Sequence, residues 1–234
     1  MSIIEIVDFV VALDLCHLDG MMEYWSIGVL GGKSGKKYSF YSSKPNTPIL
    51  HCSSTPIGAK PVNSEKEGWI VILAVMSDTH DHIWNLRKAL EFIQERGAEV
   101  IIHCGDYIAP FMLKELDQAR IPVHGVFGNN DGDQYLLTKM SLTELSNITL
   151  YGLMGELKLA DFRVAFTHYR AVADGLAASG QFDLVCFGHS HEASLEKVGR
   201  TDLLNPGEVM GKDGSPGFYL VDTSTRKYEP ISLL

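Results

Sequence analysis

Apolar and polar positions along residues 70–234 follow a strand–helix alternation, whereas residues 1–69 keep no sustained period of either kind. Residues 70–76 are an unbroken apolar run of strand length, the pattern of a strand covered on both faces. Ile83, Leu86, Leu90 and Ile93 then recur at helical spacing, and Gly97 supplies a stop. Residues 99–103 predict a second strand and residues 110–120 a helix with Phe111, Leu113 and Leu116 as its apolar face. A third strand over 122–127 and a third helix over 134–145 follow. The rhythm then changes to close-spaced strands at 148–153, 156–160 and 162–167, an alanine-rich helix at 169–179, and a buried strand at 182–187. Residues 194–198, 202–204, 217–222 and 227–233 are all strand-like and separated by turn residues. The expected fold class is α/β, an α+β sandwich. Two mixed β-sheets packed face to face and flanked by helices would bury both apolar sets.

The leader is of a different kind. Residues 21–68 are rich in Gly, Ser, Lys, Pro and Thr and read as irregular or poorly ordered, and only residues 3–15 are apolar enough to form one short strand or helix. The segment Gly31-Gly32-Lys33-Ser34-Gly35-Lys36-Lys37 superficially suggests a phosphate loop. It lacks the Gly-x-x-x-x-Gly-Lys-Ser/Thr spacing and the flanking strand and helix, so it is read as a solvated loop. The chain is therefore expected to divide into a leader, residues 1–69, and a working domain, residues 70–234. The leader is read either as a linker or docking tail, or as the product of a start codon placed too early. Starting at Met76 instead would remove most of the first core strand.

Charge and cysteine content narrow the function. A net charge of −9 argues against general binding to nucleic-acid backbone or an anionic membrane. No apolar run reaches the roughly 18 to 20 residues of a membrane span. The acidic first stretch, with Glu5, Asp8, Asp14 and Asp19, makes a poor secretory signal. Cys16, Cys52, Cys104 and Cys186 form no close pair, which suits reduced thiols in a cytoplasmic protein. Oligomeric state is open, with a homo-oligomer allowed.

The chemistry lies at the strand ends. Asp78 and His80 follow the first core strand, Asp106 the second, Asn129 the third, His168 the strand ending at Thr167, and His189 and His191 the strand after that. Oxygen and imidazole donors with no thiolate among them suit a pair of hydrolytic divalent cations. A carboxylate such as Asp106 can bridge two cations, and two imidazoles as close as His189 and His191 have few structural reasons. Taken singly, Asp-x-His is explained as well by a loop end, Asn129 by a turn, and His168 by a structural role. The five groups in one order at strand C-terminal ends are far more specific than any one of them.

These motifs, Ser-Asp-Thr-His, His-Cys-Gly-Asp, Gly-Asn-Asn-Asp, Thr-His and Gly-His-Ser-His, resemble those of the calcineurin-like metallophosphoesterases, and most of all the small prokaryotic phosphodiesterases of the YfcE type. The resemblance covers residues 70–234 and leaves the leader without a counterpart. It implies one cation held by Asp78, His80, Asp106 and His191, and a second held by Asp106, Asn129, His168 and His189. Mn²⁺ is the first expectation, with Fe²⁺, Ni²⁺ or Zn²⁺ also suited. The implied reaction is attack of a metal-bridging hydroxide on the phosphorus of a small phosphoester substrate. Many relatives carry a histidine after the ligand asparagine as leaving-group acid. Here that place is Asn130, which puts efficient cleavage of poor leaving groups in doubt. Asn205-Pro206-Gly207 matches a family turn expected near the site. Asp131 is expected to orient Asn129 or a histidine, His82 to line the pocket, and His103 to satisfy a core hydrogen bond. Arg170 is read either as a bidentate phosphate contact or as an exposed helix-start residue. The alternative function is a metal-binding scaffold on the same fold with little or no catalysis. An amidohydrolase barrel is disfavoured, because its His-x-His lies on the first strand.

Overall fold

A computed structural model describes residues 71–234, together with two short strands before them. The chain divides into two units, Met1–His51 and Cys52–Leu234. In the first, Val11–Leu13 (β1) and Ile27–Val29 (β2) pair antiparallel. The remainder of the expected leader, including the Gly31–Lys37 stretch, Cys16 and Cys52, lies outside the described residues, and so does the expected boundary at 69/70.

The second unit is built on two sheets. In the first, Ile72–Met76 (β3), Val100–His103 (β4), Val123–Gly125 (β5) and Ile148–Leu150 (β6) run parallel in sequence order. Gly217–Asp222 (β12) joins antiparallel to β3, and Lys227–Ser232 (β13) forms the outer edge beyond it. The second sheet has the order β10-β11-β9-β8-β7. Its strands are Met154–Leu159 (β7), Phe162–Thr167 (β8), Leu184–Cys186 (β9), Ser194–Val198 (β10) and Thr201–Asn205 (β11), and β8, β9 and β11 run parallel. Among the described residues four helices accompany them: Ile83–Glu95 (α1), Pro110–Gln118 (α2), Gln134–Thr143 (α3) and Arg170–Ala178 (α4).

The period of two in each strand sets the layers. Leu73, Val75, Val100 and Ile102 point between the sheets and meet Val164, Phe166, Leu184 and Cys186. Their neighbours Ala74, Met76 and Ile101 point the other way, onto Leu86, Ile93, Met112, Leu113, Leu116 and Leu137 of α1–α3. On the far side, Ala165, Val185 and Leu203 pack on Ala173 and Ala177 of α4. The result is helices, sheet, sheet, helix, the expected sandwich. One apolar face differs from expectation. On α2, Met112 is fully buried beside Leu113 and Leu116, while Phe111 is 43% exposed. A one-residue change in helix phase separates the two readings, and both positions are apolar. Among the described residues no helix is long and apolar enough to cross a membrane. Cys104 and Cys186 are free and buried, and burial pushes both thiols up so that they stay protonated.

Candidate metal centre

β3, β4 and β5 end at one edge of the first sheet, and β8 and β9 end at one edge of the second. All seven expected side chains stand in the loops directly after these five ends. The backbone there is unusual. Asp78, His80, Asp106, His189 and His191 have φ of 52°, 41°, 61°, 72° and 62°. A side chain in this left-handed region costs about 1–2 kcal/mol, so surrounding contacts must impose it, and such residues gather at functional sites.

The imposing contacts are visible. Buried Asp131 accepts the N–H groups of Asp106 (3.0 Å), Tyr107 (2.7 Å), Ile108 (2.9 Å) and Gly128 (2.7 Å). One carboxylate thus locks the loop after β4 to the loop after β5. This corrects the expected role of Asp131, which holds backbone rather than Asn129 or a histidine ring. Buried His103 accepts from Gly105 N–H (3.1 Å), so its proton is on Nε2 and donates to Thr79 Oγ1 (3.1 Å), as expected of a core histidine. Burial lowers its pKa to about 3, which keeps the ring neutral. Gly128 and Gly188 allow the closest approaches. A Cβ on Gly128 would collide with the Asp106 carboxylate, and one on Gly188 with Ser77 Oγ.

Within this frame five of the seven side chains converge. Asp78, His80 and His191 form one group of donor atoms and Asp78, Asp106 and His168 another, each within 4.8 Å. Asp106 Oδ2 is 3.7 Å from His80 Nε2 and 3.6 Å from His168 Nε2. His191 Nε2 is 3.4 Å from Asp78 Oδ1, and His80 Nε2 is 3.9 Å from the same oxygen. Asn129 joins through its Oδ1, 3.0 Å from His168 Nε2. His189 is exposed and outside both groups. Its ring lies 5.1 Å from that of His168, and its N–H donates to Asp78 Oδ2 (3.1 Å).

The donor set fits a cation on three counts. Asp78 Oδ1 and His80 Nε2 are buried with no hydrogen-bond partner among the described residues. Such orphaned groups are expensive unless something compensates them. Second, the Cys104 carbonyl can only accept, so His168 Nδ1 (2.8 Å away) carries the proton. His168 Nε2 then faces Asn129 Oδ1 at 3.0 Å, a contact that either a proton on Nε2 or a cation bound to both atoms would satisfy. Third, no Lys or Arg pairs with Asp78 or Asp106 among the described residues. Burial holds the Asp78 carboxyl above its ordinary range.

Two acids missed in the sequence complete the site. His191 Nδ1 is 3.1 Å from Glu208 Oε2 and 3.1 Å from Asp213 Oδ2. Carboxylates only accept, so the proton sits on Nδ1 and the Nε2 lone pair faces Asp78. The hydrogen bond of His191 Nδ1 goes to Asp213; Glu208 is buried beside it, and its Oε1 accepts from the N–H groups of Asp213 and Gly214, both at 2.6 Å. The one local signal was an acid directly after Asn205-Pro206-Gly207. Asn205 supports the same loop, donating to Gly188 O (3.1 Å) and Ser190 Oγ (2.9 Å), near the site as expected. Arg170 resolves toward the bland reading. Its guanidinium is bidentate on Glu196 (2.7 and 2.8 Å) and also pairs with Asp174 (3.0 Å). The phosphate contact is thereby corrected, because two carboxylates of the chain already hold it. Asn130 donates to Asp106 through its N–H (2.8 Å) and its amide (2.7 Å).

Comparison with known proteins agrees with this geometry. Residues 71–226 match the Calcineurin-like phosphoesterase superfamily domain. A phosphodiesterase of Methanocaldococcus jannaschii is 34% identical over 164 residues, covering 69% of this chain and 98% of that protein. The solved structure of an archaeal phosphodiesterase superposes with a TM-score of 0.64 at 32% identity, over 70% of this chain and all of that one. YfcE, a phosphoesterase from E. coli, shares the fold at 17% identity and a TM-score of 0.50, over 70% of this chain and 100% of its own. The matched span contains every side chain of the constellation, and the chain belongs to the calcineurin-like phosphoesterase superfamily, a superfamily of phosphoester hydrolases.

Proposed function

We propose that residues 70–234 form a metal-dependent phosphodiesterase that hydrolyses small phosphate esters at a two-cation centre. Asp78, His80, Asp106 and His191 would hold one cation, and Asp106, Asn129, His168 and His189 the other. Mn²⁺ is the first choice, and Fe²⁺, Ni²⁺ and Zn²⁺ accept the same donors. When bound, the pair supplies charge to the phosphoryl oxygens and an acidified water with a pKa of about 7.

The chain's own residues prepare for this. Asp106 Oδ2 lies almost evenly between His80 and His168, which supports a shared role. Cys104 O and Asp213 accept the Nδ1 protons of His168 and His191, with the Glu208 carboxylate close beside the latter, so both Nε2 atoms face the carboxylates. Asn130 has no proton to give at neutral pH, so esters with good leaving groups are the favoured substrates. The buried free thiols and the lack of a membrane-crossing helix among the described residues are compatible with a cytoplasmic location. The carrying observation is the buried pair Asp78 Oδ1 and His80 Nε2, which among the described residues have no hydrogen-bond partner and no lysine or arginine paired to their cluster.

The test is hydrolysis of bis-p-nitrophenyl phosphate by chelator-stripped protein, with and without added Mn²⁺. Metal-restored turnover is expected. Metal binding without turnover would overturn the enzymatic reading in favour of a scaffold on the same fold.

A further inference from the structure

The four expected histidine ligands are held in different ways. His80 and His191 lie against Asp78, and the Nδ1 of His191 is bonded to Asp213. His168 is fixed through its Nδ1 to Cys104 O. His189 is the exception. Its backbone N–H donates to Asp78, but its exposed ring enters no hydrogen bond and no ion pair among the described residues. A side chain that is exposed and unbonded gives up rotamer freedom when it holds an ion. Such a ligand binds well only if packing has already fixed it.

The packing comes from Tyr169. β8 and β9 run parallel with Phe166 opposite Cys186, and Gly188 N–H donates to His168 O (3.1 Å). The residues after the two strands therefore leave the sheet side by side. Tyr169 is anchored by its backbone at the start of α4, where its carbonyl accepts from the N–H groups of Val172 and Ala173, both at 3.1 Å. Its half-buried ring lies 5.1 Å from that of His168, at 86°, and 5.6 Å from that of His189, at 60°. The two imidazoles are 5.1 Å apart, at 69°. The three rings thus close a triangle of edge-to-face and tilted contacts, arrangements that aromatic rings prefer. Two corners are fixed from elsewhere, His168 by Cys104 O and Tyr169 by α4. The third corner, His189, is held by the other two.

We infer that Tyr169 is the positioning residue of the second cation site. Its ring holds the imidazole of His189 in place, so the affinity for the second cation depends on Tyr169 and the affinity for the first does not. The inference rests on the two-cation reading, and it concerns metal binding rather than turnover.

The experiment is calorimetric titration of the full, chelator-stripped chain with Mn²⁺. Electron paramagnetic resonance tells a single bound Mn²⁺ from a coupled pair. The parent is expected to take up two ions. Tyr169→Ala should weaken the second by about tenfold and leave the first within about twofold. Tyr169→Phe keeps the ring and should bind both ions as the parent does. On a His189→Ala background, Tyr169→Ala should cost no further affinity, because it acts through His189. Should Tyr169→Ala fail to fold, Tyr169→Leu, which keeps bulk without a flat ring, takes its place. An unchanged second affinity in Tyr169→Ala, an equal loss at both ions, the same loss in Tyr169→Phe, or a full further loss on the His189→Ala background overturns the inference. Uptake of only one ion by the parent overturns it as well. The expected pattern without hydrolysis of bis-p-nitrophenyl phosphate leaves the inference standing and sinks the phosphodiesterase reading alone. Hydrolysis without the pattern does the reverse.

Discussion

Two buried aspartates in this molecule have opposite surroundings. Asp183, 6% exposed, accepts from Arg163 N–H and pairs with the guanidiniums of Arg226 and Arg200. Burial alone would raise its pKa, but these partners hold it below the ordinary range. Asp78, fully buried, has no lysine or arginine paired with it among the described residues, and burial holds its carboxyl above the ordinary range. The fold neutralises Asp183 from its own sequence. Among the described residues it collects Asp78, Asp106 and three imidazoles with no lysine or arginine paired to them. A structural carboxylate is finished when the chain folds, whereas a ligand carboxylate is left for an ion from solution.

The contrast can be broken most sharply at Asp106. Asp106→Asn should lower kcat/KM on bis-p-nitrophenyl phosphate by about 10³-fold or more, with the circular dichroism spectrum retained. An asparagine oxygen still accepts from Asn130 but no longer carries charge to share between two cations. Activity within a few-fold of the parent would remove Asp106 from its role. Asp183→Asn should do the reverse. It should destabilise by about 2 kcal/mol, roughly 4–8 °C in Tm, and leave untouched the rise in Tm that Mn²⁺ produces. A metal-dependent loss in that variant would show that the two regions are not independent.

Glu208→Gln tests the acid behind His191. The amide keeps an acceptor for the Asp213 and Gly214 N–H groups but removes the negative charge 3.1 Å from His191 Nδ1. Mn²⁺ affinity, read by calorimetry, should fall about tenfold, with Tm in chelator unchanged or slightly raised as a buried charge is removed. Equal affinity would assign the orienting role to Asp213 alone.

Acidification should separate the regions by pH rather than by size. Imidazole donors hold a cation only when deprotonated, so acid competes with Mn²⁺ and the Mn²⁺-dependent part of Tm should vanish first. The folded pKa of Asp183 lies below its ordinary value of 3.8. The unfolded chain therefore takes up its proton first, so the contribution of Asp183 is complete above 3.8 and is lost only as pH falls through the folded value. Thermal melts from pH 7 to 3, with and without Mn²⁺, would show two windows. One merged window would contradict the separation.

Much of this was legible in one dimension. Strand and helix order follows from periodicity, because a strand buried on both faces must be apolar throughout and an amphipathic helix must repeat every three to four residues. The ligand motifs were legible because glycine and strand ends punctuate them. Near misses came where the sequence leaves a choice that only packing makes. Phe111 and Met112 are equally apolar, and the phase of α2 decides which is buried. Arg170 could be read as a phosphate contact or as an exposed helix-start residue, and Glu196, 26 residues away, takes it. Glu208 meets His191 only because β11 runs beside β9, which places the loops that follow the two strands next to each other.

The sequence by itself determined the sandwich, the seven candidate ligands and the strand ends that carry them, since hydrophobic period and residue chemistry are local properties. Tertiary structure alone decided which atoms face one another. It set the left-handed backbone of Asp78, His80 and Asp106, the clamp by Asp131, the protonated nitrogen of His168 and His191, and the ring of Tyr169 against that of His189. Those are distances between residues far apart in the chain, and only the packing of two sheets fixes them.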